Sequence, residues 1–495
     1  MKQWTRRAAL LGGGAIVGAW AARGLGPQQP TLAGTRLVGQ ETPSGMMNDA
    51  SLLSPTPVHK HVVLREDPGN ALVDALRQEI KSARAAGRPV NVSAARHSMG
   101  GQSLPRGGHA ITFDNGLVEP DTAGGVYRVH AGARWQQVIA ALDPIGFSPK
   151  VMQSNNDFGV AATFCVNAHG WPVPHGPMGA TVRSFDMVVP DGTRVTCSRT
   201  ENADLFNQTM GGYGLTGAIL SLDVDMVPNV RMRPSFEKVP AEGFAAAFEA
   251  ALKDPDVIMA YGRLNVERAD FFRDALLITY RPTEDQDDLP PAPGSGPMSQ
   301  IARHVYRAQL GNERMKSVRW WFETGLGPAV GGGETTRNTV INEPVVTLDD
   351  RDDTRTDILH EYFVPPERFG DFLTLCRQVI PGSFQEFLNV TLRFVDTDPE
   401  SWLSYAPTPR IAAVMSFSQE MTERAEADMA RMTRALVDGI IDIGGSYYLP
   451  YRPHPTLAQL TRTYPRAAAF AAAKRAMDPD LIFRNNLWDS YLEAL

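Results

Sequence analysis

Apolar residues along this 495-residue chain recur with two periods, and each change of period marks an element. Between Pro68 and Ala86, Leu72, Val73, Leu76 and Ile80 fall at helical spacing and predict an amphipathic helix. Short apolar runs over Pro89 to Val92 and Ala110 to Phe113 read as strands joined by the stretch Val92 to Gln102. Tyr127 to Ala133 predicts a strand and Trp135 to Leu142 a helix. Asp186 to Val195 predicts a hairpin turning at Asp191-Gly192. Leu220 to Val227 alternates as a strand should. Past Pro228 the character shifts: Phe244 to Leu252 reads as an Ala/Phe helix and Val257 to Leu264 as a strand. Asp357 to Val364 is a strand ending at Pro365, with a helix from Glu367 to Val379 behind it. Asn389 to Val395 alternates, with Val390, Leu392 and Phe394 on one face and Thr391, Arg393 and Val395 on the other. Ala412 to Phe417 is a further strand, and Glu284 to Pro297, rich in Asp and Pro, an exposed loop.

Three of the connections are unusually small in side chain. The first is Arg96-His97-Ser98-Met99-Gly100-Gly101-Gln102, which sets an imidazole just ahead of two glycines. Glycine permits φ > 0 and close backbone approach, so the loop predicts an anion cradle with a histidine in it. The second runs from Gly159 through Ala162, Thr163 and Asn167 to His169-Gly170. The third, Met210 to Ile219, carries Gly211, Gly212, Gly214 and Gly217 around Thr216. Three such loops near strand ends predict one long ligand with a charged middle.

The length suits two domains, and 43% apolar content is ample for a core. A formal charge of −7 gives no electrostatic reason to expect nucleic acid. Cys165, Cys197 and Cys376 supply no disulfide framework, and no Cys/His spacing of metal type is present. The N-terminus differs from the body. Arg6-Arg7 precedes an uncharged Ala/Gly-rich run from Ala8 to Ala22, which reads as an export signal of twin-arginine type. That predicts a periplasmic protein, with cleavage near Ala19 to Ala22 or an uncleaved anchor as its only tie to the membrane.

The three loops, in this order and spacing, resemble the FAD-binding domain of the vanillyl-alcohol oxidase/p-cresol methylhydroxylase superfamily. The first resembles its pyrophosphate loop, of pattern close to Gly-Gly-x-His-Ser or Gly-x-Gly-His-Ser, in which a histidine at or near this place often carries the flavin covalently. His97 is the match, with Ala94 and Ala95 where glycine is usual in the first of these forms. The resemblance implies FAD, with Arg96 to Gln102, Gly159, Ala162, Thr163, Asn167, His169, Gly170, Gly212, Gly214, Thr216, Gly217, Ile219 and Asn485 as its binding residues. It implies an α+β protein with a bipartite FAD-binding domain and a cap domain, a mixed sheet covered by helices. The divisions would be a signal and linker at 1–57, the FAD-binding domain at 58–230, the cap at 231–445 and a return at 446–495.

Alditol oxidase and its sugar-oxidising relatives carry a Glu-x-Arg pair on a cap strand. Arg393 matches the arginine, and Thr391 stands in the glutamate's place. An arginine inside a buried strand is costly unless it is paired or beside a ligand. Tyr447 to His454 then packs three tyrosines, an arginine and a histidine into eight positions, giving Tyr448, Arg452 and His454 as catalytic candidates without an order among them. These residues imply oxidation of CH–OH to C=O in a sugar, polyol or related small alcohol, with reoxidation by oxygen or an electron-transfer partner. Two other readings are a flavoenzyme for a lipid-linked or sterol-like substrate and a flavin-binding protein without turnover.

Overall fold

A computed structural model describes residues 44–293, 304–326, 328, 332–343 and 354–495. The arginine pair at the N-terminus and the end of the 284–297 loop lie outside them. β1 (Met46–Met47) and β2 (Thr56–Pro57) pair with each other. β3 (Lys60–Leu64), β4 (Val90–Ser93) and β5 (His109–Phe113) form a parallel sheet in the order β3-β5-β4. The crossover from β3 to β4 is α1 (Asn70–Ala85), which buries Leu72, Val73, Leu76, Ile80 and Ala83. Each of the larger four contributes about 1.5–3 kcal/mol by leaving water.

A second, antiparallel sheet contains β6 (Val118–Asp121), β7 (Val126–His130), β8 (Phe147–Pro149), β9 (Val182–Val188), β10 (Arg194–Ser198) and β11 (Ala218–Pro228). Its order is β10-β9-β11-β7-β6, with β8 on the far end of β11. α2 (Trp135–Leu142) follows β7. The stretch read from sequence as a second loop is partly helical: α3 (Val160–Cys165) turns Val160, Ala161 and Phe164 inward. Small residues there let a helix pack tightly, so the low side-chain volume reports close packing as well as ligand approach.

The rest of the chain builds an eight-stranded sheet. Its strands are β12 (Arg231–Pro240), β13 (Met259–Leu264), β14 (Asp274–Pro282), β15 (Thr335–Thr336), β16 (Arg355–Val364), β17 (Glu386–Val395), β18 (Arg410–Glu420) and β19 (Ser446–Tyr447). Their order is β15-β12-β14-β13-β17-β18-β16-β19. The expected mixed sheet is instead antiparallel in every pairing among the described residues. The cause is an insertion. α4 (Phe244–Leu252) joins β12 to β13, and α5 (Phe369–Val379) joins β16 to β17. In each case the strand that follows, β14 or β18, slots between the two and runs the opposite way. With α6 (Glu423–Asp442), these helices and the sheet share one apolar core, in which Phe244, Phe372 and Leu436 are all shut off from water. No helix among the described residues is long and apolar enough to cross a membrane.

After β19 the chain goes back to the first sheet. Val90 N–H donates to Ile482 O at 2.6 Å, and Arg484 N–H to Val90 O at 3.2 Å. Asn485 then caps α7 (Asn486–Ser490), its Oδ1 accepting from the N–H groups of Leu487 and Trp488. Its Nδ2 donates to Tyr213 O in the third glycine loop at 2.9 Å. On the other side Arg452 bridges three parts of the chain. It pairs with Glu426 of α6, and its Nη1 donates to Ser54 Oγ at 3.0 Å and Met99 O at 3.2 Å. His454 Nε2 shares Glu426 at 2.8 Å. Burial by itself would raise the Glu426 carboxyl. The His454 hydrogen bond and the Arg452 charge outweigh it and hold the group far below the usual carboxylate range.

Two outcomes follow. Asn485→Ala loses a helix cap and a buried hydrogen bond together and should cost about 2 kcal/mol, read as a lower Tm; an unchanged Tm would show the return is held elsewhere. Because the folded-state carboxyl of Glu426 titrates below its unfolded value, its stabilisation is present above about pH 4.5 and fades as pH falls below that. Glu426→Gln should therefore destabilise by about 3 kcal/mol at neutral pH, and the gap to the parent should narrow in acid. Parallel thermal melts across pH check both the size and the trend.

Candidate active site

The cleft lies where the first two sheets meet one face of the third. Its walls come from the 93–103 loop, the N-terminal turn of α3, the third glycine loop, the middle of the eight-stranded sheet and the Tyr448-to-Tyr451 turn. Of the residues expected at the cofactor, Arg96, His97, Ser98, Gln102, Gly159, Ala162, Thr163, His169, Gly214, Gly217 and Ile219 line it. So do the catalytic candidates Arg393 and Tyr448.

Others do not, and each has a reason. Gly100 and Gly101 were expected to offer N–H groups to an anion. Instead Gly100 N–H donates to Gln102 Oε1 at 2.9 Å and Gly101 N–H to the buried Asp49 carboxylate at 2.7 Å. Gly101 has φ +74°, and a Cβ there would fall 2.3 Å from the Asn486 side chain. These glycines let the loop pack backward onto the rest of the chain. Met99 turns away as well, its N–H donating to Pro450 O at 2.8 Å. Asn167, with φ +47°, spends its amide on Asp398, Ser401 and the N–H of Gly179. Thr216 Oγ1 bonds Thr209 Oγ1 at 2.9 Å. Gly170 and Gly212 sit where a Cβ would strike the carbonyls of Met152 and Gln208, at 1.9 and 2.0 Å. Asn485 ties loops together, and Arg452 and His454 are spent on Glu426, outside the cleft.

The lining fits FAD by its unpaired atoms. Ser93 Oγ, Gln153 Oε1, His169 Nδ1 and Arg393 Nε are all shut off from solvent without a partner among the described residues, and all four residues line the cleft. Buried polar groups are nearly always paired, so a cluster of exceptions marks where a polar ligand binds. At Gly214, φ is +72° and a Cβ would meet nothing nearer than Asn91 Oδ1 at 3.7 Å. Arg96 holds φ +54°, a costly conformation for a residue that carries a Cβ. Burial lowers the pKa of its guanidinium and of Arg134's, and Arg96 adds like-charge repulsion at Arg134. A diphosphate in the cleft beside Arg96, which lines it, would relieve that guanidinium. The His97 ring stacks on Phe158 at 4.2 Å between centroids.

The inner end belongs to the large sheet. Register aligns Glu361 with Val414 and Val414 with Thr391, one row on the cleft face. Thr391 Oγ1 accepts from Arg263 Nη1 at 2.6 Å, so it serves that arginine. The carboxylate comes from Glu361, two strands away, which is buried and alone among the lining residues in being acidic. It holds His169 Nε2 on one oxygen and accepts from Tyr451 Oη at 3.1 Å on the other. Arg393 Nη1 donates to His169 O at 3.3 Å. Burial lowers the guanidinium's pKa, partly offset by the Glu361 charge. Tyr448 Oη donates to Val166 O at 2.8 Å. Burial, then neighbouring phenols and Glu361, push Tyr448 well above the ordinary tyrosine value; Tyr451 is raised mainly by burial and Glu361. Glu361 and Tyr451 escaped the sequence reading because nothing local distinguishes them; register across β16, β17 and β18 places Glu361, and the turn after β19 brings Tyr451 to it.

Residues 71–198 match the family model described as the FAD binding domain. Cytokinin dehydrogenase 7 of Oryza sativa subsp. japonica is 33% identical over 148 residues, 28% of each chain. Cytokinin dehydrogenase 1 of Arabidopsis thaliana is 28% identical over 144 residues, 28% of this chain and 24% of that one. Alditol oxidase of a Streptomyces species is 25% identical over 149 residues, 28% of this chain and 35% of that one. The matched part thus spans about a quarter to a third of these curated relatives. Cleft, loops and matched segment coincide: residues 71–198 carry an FAD binding domain, similar to that of the vanillyl-alcohol oxidase/p-cresol methylhydroxylase superfamily, and FAD is the cofactor.

Proposed function

We propose that this FAD-dependent oxidoreductase oxidises the CH–OH group of a sugar, polyol or related small alcohol to C=O. The observation that carries the reading is the polar inner end of the cleft. Arg393 presents a desolvated Nε, unpartnered among the described residues, near the Glu361 carboxylate, and a sterol-like or other apolar substrate would leave that N–H unanswered. When bound, the flavin supplies a two-electron acceptor for the substrate hydride. The chain's own residues do the rest. Arg96, His97 and Ser98 with Gly214 and Gly217 hold the cofactor, the small residues of α3 let it approach closely, and Arg393 offsets negative charge that develops during the reaction. Oxygen or an electron-transfer partner reoxidises the enzyme. We further assign His97 as the site of covalent attachment and the twin-arginine segment as the route to the periplasm.

Anaerobic mixing with a panel of alditols, aldoses and lactones should bleach the flavin absorbance. Arg393→Met should keep its FAD and bleach about 10²–10³-fold more slowly. A panel that leaves the spectrum untouched counts against alcohol oxidation. After acid denaturation, yellow colour should stay with the polypeptide and be lost from it in His97→Ala; colour released from the parent protein would remove the covalent bond and keep the cofactor.

A further inference from the structure

The sequence pattern assigns His169 to the cofactor's second loop. We propose that His169 is instead the catalytic base, its Nδ1 taking the substrate hydroxyl proton while Glu361 orients the ring from behind; this rests on the alcohol-oxidase reading above. Both residues are about 3% exposed at the side chain, and they come from opposite domains. An ionised carboxylate only accepts, so Nε2 carries the proton donated to Glu361. The remaining nitrogen of a neutral imidazole is then a bare lone pair. That nitrogen, Nδ1, is desolvated and has no partner among the described residues, and its ring lines the cleft.

The surroundings fit the task. Phe363, Tyr405 and Tyr448 pack edgewise or tilted around the ring, with centroids at 5.5, 6.1 and 6.5 Å. The charged groups facing the pair are Glu361 itself and Arg393, which binds the His169 carbonyl. The tyrosines nearby are poor proton acceptors, since burial favours their neutral form. Tyr448 is also committed as a donor to Val166 O. A carboxylate behind a histidine fixes the tautomer and stabilises the imidazolium that forms, a division of labour known from hydrolytic triads. The step balances. The O–H proton moves to Nδ1, the C–H hydrogen leaves with its electron pair for the flavin, and C=O forms. The substrate is oxidised by two electrons and the flavin reduced by two. Glu361 touches His169 and not the reacting atoms, so it is a positioning residue.

The test pairs a spectroscopic readout with kinetics. In protein carrying ¹⁵N-histidine, His169 should show Nε2 protonated and Nδ1 bare at neutral pH. Glu361→Gln should move the proton to Nδ1, and Glu361→Asp should restore the parent pattern in part. A protonated Nδ1 in the parent overturns the proposal whatever the substrate. His169→Gln and Glu361→Gln should keep stoichiometric FAD and bleach about 10²–10⁴-fold more slowly at saturating alcohol. His169→Gln should also regain rate as pH rises, where hydroxide stands in for the missing base. Loaded variants within about threefold of the parent, with its pH profile, overturn the base while leaving alcohol oxidation standing. If no alcohol bleaches the parent, the oxidase reading itself falls and the base with it.

Discussion

Everything at the cleft depends on how the 93–103 loop is held from behind. Its backbone and side chains bond to parts of the chain distant in sequence. Gln102 Nε2 donates to Leu449 O and Tyr451 O at 2.7 and 2.9 Å, and Asp49 takes the N–H of Gly101. Burial raises the Asp49 carboxyl, and the hydrogen bonds from Ser51 and Gly101 work against that. Such bonds are worth most where water is excluded and cost most when one partner is lost. The C-terminal turn that grips the loop also contributes Tyr448 and Tyr451 to the cleft. Formation of the cofactor site and docking of the chain's end are therefore one event.

A second constraint comes from sheet register. A strand puts alternate residues on one face, so β16, β17 and β18 can align a glutamate, a valine and a threonine in one row. The carboxylate at the inner end comes from β16. Thr391 is then released to pair with Arg263, which in turn also reaches Asn389 Oδ1 at 3.0 Å. A local departure from a Glu-x-Arg pair is thus compatible with the same charge balance near Arg393, reached through a different strand.

The cleft also carries a cost in stability. Unpaired buried atoms at Ser93, Gln153, His169 and Arg393 each forgo a hydrogen bond, and Arg96 holds a left-handed backbone. Such groups typically cost about 1–3 kcal/mol apiece. A chain keeps them only where the surrounding core over-determines the geometry. Here two large apolar clusters, one in each half, supply that excess.

Periodicity alone determined most elements: α1, α2 and α4, the Asp191-Gly192 hairpin and the strands around Glu361 and Arg393 follow from local spacing, because burial of one face sets the period. The small-residue loops likewise marked the cleft, and His97 is part of its lining. What spacing could not determine was direction. Whether Gly100 and Gly101 face a ligand or a neighbouring chain, and whether Arg452 serves catalysis or Glu426, depends on partners far off in sequence. The antiparallel cap sheet, with β14 and β18 inserted between strands that a helix joins, was equally invisible. Pairing order carries no local signature. Only the tertiary structure brought Glu361 to His169, because a contact across 192 residues is decided by register and packing, and by nothing either residue's neighbours spell out.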